Sequence, residues 1–415
     1  MCGICGKYYF DPLKQVEGSL LRNMTSVLER RGPDEEAWWQ EGAIGLGVRR
    51  LSIMDIARGH QPFSSEDGYV RAVYNGQIYN YRYLKEKLIS LGHFFLTGCD
   101  GEVIPHLYEE YGESFLKHLH GMFGLALVDQ KRQKLILARD RMGIKPLYYS
   151  VLADGVVFGS STRAILCDPA VSRDFDPAAL HCYFSCNYFP DSYTPFSQVK
   201  KLLPGNYIVC EGENVRRQPY WSLLQSSGTD NLPLKAAEDK FRSLFIGAVE
   251  NHLRADVPVG IFLSGGLDSS CIAYAAAALG ADAAAFSIGF RETSFDERPY
   301  ASLVAQKLGI RHYDCLLPEN LGSLVIQAGE ALDIPIGEPS FLPTYALSAF
   351  ASEHCKVILS GEGADELLWG YETYLANILA APLFLLPSPL RRHVFGLIAQ
   401  VFARNDTWLN KRQRL

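Results

Sequence analysis

The chain has 415 residues, of which 48% are hydrophobic and 21% are charged. Because a single hydrophobic core stops growing at about 250 to 300 residues, this length predicts two domains, and the composition predicts that most of the chain folds. Forty Lys and Arg residues against 46 Asp and Glu residues give a formal net charge of −6. That balance excludes the basic field of a nucleic-acid-binding protein.

Ten cysteines are spread along the whole chain. This distribution predicts reduced cysteines and a cytoplasmic protein rather than a small disulfide scaffold. The first residues, Met-Cys-Gly-Ile-Cys-Gly-Lys, lack the charged and apolar regions of a signal peptide. Prolines and arginines interrupt the most apolar tract, residues 378–402, so we expect a helical tail there and no membrane span.

Short apolar runs separated by Gly, Asn and Asp fill residues 1–210. They predict many strands, among them residues 43–48, 70–74, 123–128, 134–138 and 156–159. Apolar residues at intervals of three and four predict helices at residues 20–29, 83–91 and 102–111. The first domain is therefore predicted to be α+β.

Residues 211–233 are predicted to be a linker, because the polar stretch Ser-Ser-Gly-Thr-Asp-Asn precedes a long amphipathic segment. Strands and helices alternate in the second domain, residues 234–415. The predicted strands are 259–263, 284–288, 312–316 and 357–359, and the predicted helices are 267–279, 297–308, 321–331 and 344–353. Strands separated by helices predict a parallel, doubly wound α/β sheet.

Cys2 directly follows the initiator methionine and precedes Gly3. Removal of Met1 would leave a cysteine with a free α-amino group, whose ordinary pKa of about 7.7 to 8.0 lets it accept the thiol proton at neutral pH. Attack of the thiolate on a carboxamide would then release ammonia. The alternative is that Cys2 is a small core residue of the first strand. A zinc or redox pair with Cys5 is disfavoured, because no second pair has matching spacing.

Four further motifs follow in the first domain: Arg31-Gly32-Pro33-Asp34, Arg50-Leu51-Ser52-Ile53, Asn75-Gly76-Gln77-Ile78-Tyr79-Asn80 and Thr97-Gly98-Cys99-Asp100-Gly101-Glu102. With Cys2 they resemble the class II glutamine amidotransferase domain, a four-layer αββα N-terminal nucleophile fold. The resemblance implies that Asn75 and Gly76 form the oxyanion hole. It also implies that Arg50 holds the glutamine α-carboxylate and Asp100 its α-ammonium. In each role the protein group complements the substrate group: dipoles face the developing oxyanion, a cation faces the carboxylate, and an anion faces the ammonium.

The segment Leu263-Ser264-Gly265-Gly266-Leu267-Asp268-Ser269-Ser270 follows a predicted strand and begins an Ala-rich helix. Amides and hydroxyls at a helix amino terminus bind phosphate, and Asp268 can hold the Mg²⁺ that accompanies pyrophosphate. The segment lacks the lysine of a Walker loop. It resembles the PP-loop of ATP pyrophosphatases, which cleave ATP between the α- and β-phosphates.

A second loop, Leu359-Ser360-Gly361-Glu362-Gly363-Ala364-Asp365-Glu366, also lies between a strand and a helix. Parallel sheets bind ligands at the carboxyl ends of their strands. Both loops together resemble asparagine synthetases, which implies Asp365 as the second Mg²⁺ ligand and Glu362 near the reacting carboxylate. An acidic helix cap is the alternative. The implied ATP contacts are Leu263, Ser264, Gly265, Gly266, Asp268, Ser269, Ile288, Ser360 and Gly361, of which Leu263, Ile288 and Gly361 line the adenine.

The resemblance implies a carbon–nitrogen ligase with small-molecule substrates, glutamine, aspartate and ATP. Ammonia released at Cys2 would pass through an internal tunnel and displace AMP from β-aspartyl-AMP. The resemblance extends to about residue 375, and residues 376–415 contain no Arg-x-Asp or Pro-Phe-Leu-Asp motif, so the second domain is predicted to be incomplete. Two alternatives stay open: a ligase for another carboxylate, such as a peptide or sugar acid, and a catalytically incomplete protein that binds ATP and glutamine. Whether the chain forms a homodimer is also open.

Gln77 departs from the Asn-Gly-Glu turn that is usual in the family. Because a neutral amide attracts the substrate ammonium less than a carboxylate does, we expect a raised KM for glutamine rather than a lost activity, with Asp100 still in place. The variant Gln77→Glu should therefore lower KM in steady-state glutaminase kinetics. An unchanged KM would support the alternative that Gln77 is a neutral variation that bonds nearby carbonyl groups.

Overall fold

The computed structural model describes residues 1–225, 232–318 and 320–403. The described chain forms two compact units. The first contains Met1–Ser243, Arg254–Val257 and Leu321–Leu342, and the second contains Leu244–Leu253, Pro258–Asn320 and the residues from Pro343 onward.

Two six-stranded antiparallel sheets form the first unit. Their strands are β1 (Gly3–Tyr9), β2 (Glu35–Glu41), β3 (Ile44–Arg50), β4 (Phe63–Ser64), β5 (Val70–Ile78), β6 (Gly121–Asp129), β7 (Lys134–Arg139), β8 (Tyr148–Leu152), β9 (Gly155–Gly159), β10 (Lys200–Lys201), β11 (Asn206–Glu211) and β12 (Asn214–Pro219). The strand orders are β10-β8-β9-β1-β3-β2 and β12-β11-β7-β6-β5-β4. The α-helices before residue 225 are α1 (Gly18–Ser26), α2 (Tyr81–Ser90), α3 (Val103–Tyr111), α4 (Thr162–Ile165) and α5 (Pro177–Cys186).

The two sheets pack face to face. Ile4 and Val48 of one sheet and Val73 and Ala126 of the other belong to the same buried cluster, as expected where alternate side chains of two sheets interdigitate. Helices α1 and α4 cover the outer face of the first sheet, and α2 and α3 cover that of the second. The predicted αββα sandwich is confirmed.

The first unit continues past residue 210, where the sequence placed its end. Strand β12 lies in the segment predicted as the linker, 211–233, and pairs with β11 from Asn206↔Pro219 to Glu211↔Asn214. Its sequence, Asn-Val-Arg-Arg-Gln-Pro, is largely polar, so hydrophobic alternation does not reveal an edge strand there. Residues 226–231 of the predicted linker lie outside the described residues.

The segment Leu321–Leu342 packs with the first unit, although the sequence placed it in the second domain. The carboxylate of Asp333 accepts hydrogen bonds from the Ser161 hydroxyl at 2.5 Å and from the Thr162 amide at 3.0 Å. Asp333 therefore supplies an acceptor for the free amides at the start of α4. Polar contacts of this kind leave no hydrophobic pattern in the sequence.

A four-stranded parallel sheet lies at the centre of the second unit. Its strands are β13 (Val259–Phe262), β14 (Ala284–Gly289), β15 (His312–Leu316) and β16 (Val357–Leu359), in the order β15-β14-β13-β16. The α-helices from residue 234 onward are α6 (Leu234–His252), α7 (Leu267–Ala278), α8 (Arg298–Leu308), α9 (Leu321–Ala331), α10 (Phe341–Ser352), α11 (Ala364–Leu368), α12 (Glu372–Phe384) and α13 (Ser388–Ala403).

Helices cover both faces of this sheet. Ile261 and Ala285 belong to a cluster with side chains of α7 and α8, and Phe286 packs on the opposite face against α10. The predicted parallel α/β sheet is confirmed.

The tract at residues 378–402 lies mostly in α12 and α13. Among the described residues, no helix combines the length and the apolar character that a membrane crossing requires. All ten cysteines are free.

Candidate active sites

Cys2 lies immediately before β1 and is partly exposed. Its Sγ accepts a hydrogen bond from the Leu51 amide at 3.4 Å. Burial raises the pKa of the Cys2 thiol, although the Leu51 backbone and the terminal amine oppose the increase. Half of the Met1 surface is exposed, but its amine is buried, and this burial lowers the amine pKa to about 5. This amine belongs to Met1, so its pKa does not describe the α-amine that Cys2 would gain on removal of Met1.

Arg31 is a neighbour of the nucleophile to which the sequence gave no role. Its Nε donates to the Cys2 carbonyl oxygen at 3.4 Å, and its buried Nη2 has no hydrogen-bond partner among the described residues. Burial lowers the pKa of the guanidinium. The turn that carries Arg31 is held by Asp34, whose carboxylate accepts the Ser52 amide at 2.8 Å. The available sequence signal was an arginine in a polar turn, Arg31-Gly32-Pro33-Asp34.

Strand β5 places an unpaired donor in the interior of the first unit. Asn75 is 1% exposed, and its Nδ2 has no hydrogen-bond partner among the described residues. Leaving a buried donor unpaired costs about 1–3 kcal/mol, so the arrangement is suited to an acceptor supplied by a ligand. At Gly76 an added Cβ would lie 2.2 Å from the Met122 carbonyl oxygen. The close β5–β6 pairing at this point therefore requires glycine.

Asp100 is a buried carboxylate that neutral groups hydrogen-bond. It is 1% exposed; one oxygen accepts the Ile78 amide at 2.7 Å, and the other accepts the Tyr74 hydroxyl. Burial raises the pKa of Asp100, and these hydrogen bonds oppose the increase. An ammonium ligand would add the positive charge that these donors do not supply. Tyr74 was missed, although a buried tyrosine in a strand requires a partner for its hydroxyl.

Arg50 is buried at the end of β3, and the following loop already occupies much of its guanidinium. Nη2 donates to the carbonyl oxygens of Met54 and Asp55 at 3.0 and 2.8 Å, and Nη1 lies 3.2 Å from a Glu35 carboxylate oxygen. A substrate carboxylate would have to share or replace these contacts.

Gln77 uses its carboxamide as a donor: Nε2 bonds the Arg254 carbonyl oxygen at 2.8 Å. A glutamate in the same position would place an acceptor against an acceptor. This contact gives a physical reason for the glutamine, and its effect on KM stays a prediction.

In the second unit, the loop between β13 and α7 is held by its own hydroxyls. Ser264 Oγ accepts the Gly266 amide at 3.1 Å and lies 3.1 Å from Ser269 Oγ. Gly265 has φ +85°, and an added Cβ would lie 2.5 Å from Tyr300 Cβ. Gly266 precedes α7 without a side-chain cap, which leaves the first amides of the helix for an anion.

Parallel pairing of β13 with β16 brings the second loop beside the first. An added Cβ at Gly361 would lie 3.2 Å from Asp268 Cβ and 3.3 Å from the Ser269 nitrogen. Asp365 lies in the first turn of α11. Two carboxylates on adjoining loops suit Mg²⁺, which prefers oxygen ligands.

The remaining predicted nucleotide contacts differ in exposure. Ser360 and Glu362 are exposed, whereas the Leu263 side chain is buried in the core. A contact of Leu263 with a nucleotide would therefore use its backbone. Ile288 is partly buried and packs on the opposite face of the sheet.

Two different protein families match the two parts of the chain that contain these candidate sites. Residues 1–221 match the family described as glutamine amidotransferase domain, and residues 240–414 match the family described as asparagine synthase. The chain is 34% identical to the glutamine-hydrolysing asparagine synthetase 1 of Bacillus subtilis strain 168, over 96% of this chain and 63% of the relative. It thus spans less than two thirds of that protein.

Two further relatives have similar identity. A Methanocaldococcus jannaschii protein, which its name assigns provisionally to the same activity, is 33% identical over 90% of this chain and 76% of its own length. A Penicillium rubens protein named amidase chyE is 33% identical over 87% of this chain and 56% of its own length.

Gly265→Ala tests whether close approach, and not only backbone conformation, requires glycine in the first loop. We expect the free energy of unfolding of the variant to fall by about 2–5 kcal/mol. A positive φ costs a residue with a Cβ about 1–2 kcal/mol, and overpacking against Tyr300 costs about 1–3 kcal/mol. Gly280→Ala is the matched control, since Gly280 has φ +71° and open space around its Cβ position. Equal losses in urea denaturation of the two variants would contradict the close-approach explanation.

Proposed function

Because the chain belongs to the glutamine-hydrolysing asparagine synthetase family, we propose that it converts aspartate to asparagine with ammonia from glutamine and energy from MgATP. The observation that carries the proposal is the approach of Gly361 to Asp268. This approach brings together the two loops that resemble phosphate-binding loops, in a chain whose first unit matches a glutamine amidotransferase domain. Because glutamine hydrolysis alone requires no ATP, a second reaction that uses ATP is expected.

Glutamine would react at Cys2. After removal of Met1 the α-amine accepts the thiol proton, and the sulfur attacks the carboxamide carbon. Asn75 Nδ2 and the Gly76 amide stabilise the tetrahedral oxyanion, which collapses with release of ammonia. Water then hydrolyses the thioester to glutamate. Asp100 binds the substrate ammonium, and Arg50 binds its carboxylate.

Aspartate would be activated at the paired loops. Its β-carboxylate attacks the α-phosphorus of ATP, pyrophosphate leaves, and ammonia then displaces AMP to give asparagine. Ser264, Ser269 and the first amides of α7 would bind the phosphates, and Asp268 and Asp365 would hold Mg²⁺, which would supply positive charge for the departing pyrophosphate. Glu362 would lie near the aspartate carboxylate that reacts.

A second candidate function is amide formation on a different carboxylic acid. A relative of similar identity, 33%, carries the name amidase. The same two loops would serve either acid, because adenylation involves only the carboxylate and the α-phosphate.

Pyrophosphate release distinguishes these functions. Aspartate with glutamine and MgATP should release pyrophosphate and form asparagine in equal amounts. Release only with another acid would support the second candidate, and no release with any acid would leave only a binding protein. Cys2→Ala should abolish the glutamine-dependent reaction but keep the one supplied with ammonia. Loss of both would contradict a division of labour between the two sites.

Asn75→Ala tests the oxyanion donor. We expect kcat of glutamine hydrolysis to fall about 10²- to 10³-fold with little change in KM, because this donor acts on charge that develops only in the transition state. Ammonia-dependent activity should be unchanged. Asn206→Ala, which removes a carboxamide that bonds the Pro204 carbonyl in an exposed position, should leave both activities intact. A raised KM for glutamine with an unchanged kcat would contradict the assignment of Asn75 to the oxyanion.

A further inference from the structure

Four side chains that belong to neither proposed active site converge in the first unit. Glu66 lies in the turn between β4 and β5, His93 follows α2, and His106 and Glu109 lie on α3. One nitrogen or oxygen atom from each lies within 4.8 Å of the others. No step of the proposed reaction uses this cluster.

The separations match those of a coordination site. His93 Nδ1 lies 3.0 Å and His106 Nδ1 lies 3.2 Å from the two Glu66 oxygens. Glu109 Oε2 lies 3.8 Å from His106 Nδ1 and 3.9 Å from His93 Nδ1. Ligand atoms bonded at 2.0–2.2 Å to a tetrahedral ion are about 3.4 Å apart. The cluster thus needs only small movements to surround one ion.

His106 is the member of the cluster whose surroundings favour a cation-binding role. It is 1% exposed, and neither ring nitrogen has a hydrogen-bond partner among the described residues. Its Nδ1 approaches a Glu66 oxygen at 3.2 Å without hydrogen-bond geometry. In the tautomer with its proton on Nε2, His106 turns the Nδ1 lone pair toward the carboxylate oxygens. A cation bound between them would accept electron pairs from both the ring nitrogen and the carboxylates.

His93 has the outer partner that metal-binding histidines usually have. Its Nδ1 faces the cluster, while Nε2 lies 3.1 Å from Glu110 Oε1. A carboxylate on the second ring nitrogen fixes the tautomer and increases the basicity of the first.

We propose that these four side chains, Glu66, His93, His106 and Glu109, bind a divalent transition-metal ion of the Zn²⁺ class. Two imidazoles with two carboxylates suit Zn²⁺, whereas Mg²⁺ and Ca²⁺ prefer oxygen ligands alone. The carboxylates of Glu66 and Glu109 are 34% and 25% exposed, so an ion can enter from solvent. The bound ion would tie the β4–β5 turn to α3, the helix that follows Asp100.

Metal binding to the full chain tests the proposal. Protein stripped with a chelator and returned to metal-free buffer is titrated with ZnCl₂ by calorimetry, without ATP. One ion per chain is expected, and Co²⁺ in its place should give the intense visible absorption of a tetrahedral site. Saturating Zn²⁺ should raise the Tm by about 2–4 °C. His93→Gln and Glu109→Gln should each lower the affinity at least tenfold.

Two controls separate this site from other binding. His181→Gln changes an exposed histidine outside the cluster and should keep the full affinity. Asp268→Asn should also keep it, which distinguishes the ion from Mg²⁺ at the nucleotide loops and keeps this test independent of the proposed synthetase activity. Glu109 is partly exposed, so Glu109→Gln should fold even if His93→Gln does not. Absent binding, or equal binding by the unmodified chain and Glu109→Gln, would overturn the proposal.

Discussion

Close approach of backbone segments at glycine is the constraint on which both proposed active sites depend. At Gly76 the neighbouring strand leaves no room for a side chain, and Asn75 beside it is consequently held in the interior. In the second unit, Gly265 fits against the first turn of α8, and Gly361 fits against Asp268. Since a Cβ would separate these segments, the glycines set the distances between the groups that would contact substrate. The regular sheets supply the rigid frame for this geometry.

The first unit contains buried polar groups that the described residues do not fully pair. Asn75 Nδ2 and Arg31 Nη2 are buried donors without partners in the described structure, and Asp100 is a buried carboxyl group that a neutral hydroxyl and a neutral amide hydrogen-bond. Each arrangement opposes folding, because desolvated polar groups normally pair with one another. Substrate groups of opposite character would complete the pairing. Part of the free energy of unfolding has thus been given up in favour of a site that binds.

Much of the fold could be predicted because apolar residues recur at regular intervals in its main strands and helices. Strands 312–316 and 357–359 and helix 321–331 were predicted with the bounds that the structure has. The positions of the two glycine-rich loops between a strand and a helix were predicted because such a turn is local in sequence. Polar strand β12 was missed since its only apolar anchor is Val215. Sequence could also place Asn75 and Asp100 in motifs without revealing that Tyr74 and Ile78 would bond the carboxylate.

Contacts between polar residues that lie far apart in the sequence could not be predicted from it. Arg254 is the partner of Gln77, and Asp333 is the partner of Thr162, yet neither pair shares a motif. Asp333 has a practical consequence for dissecting the molecule. The amidotransferase match ends at residue 221, but a recombinant fragment cut there would lack the carboxylate that the start of α4 bonds. Expression boundaries drawn from family matches would therefore divide a unit that the folded chain assembles from three separate stretches.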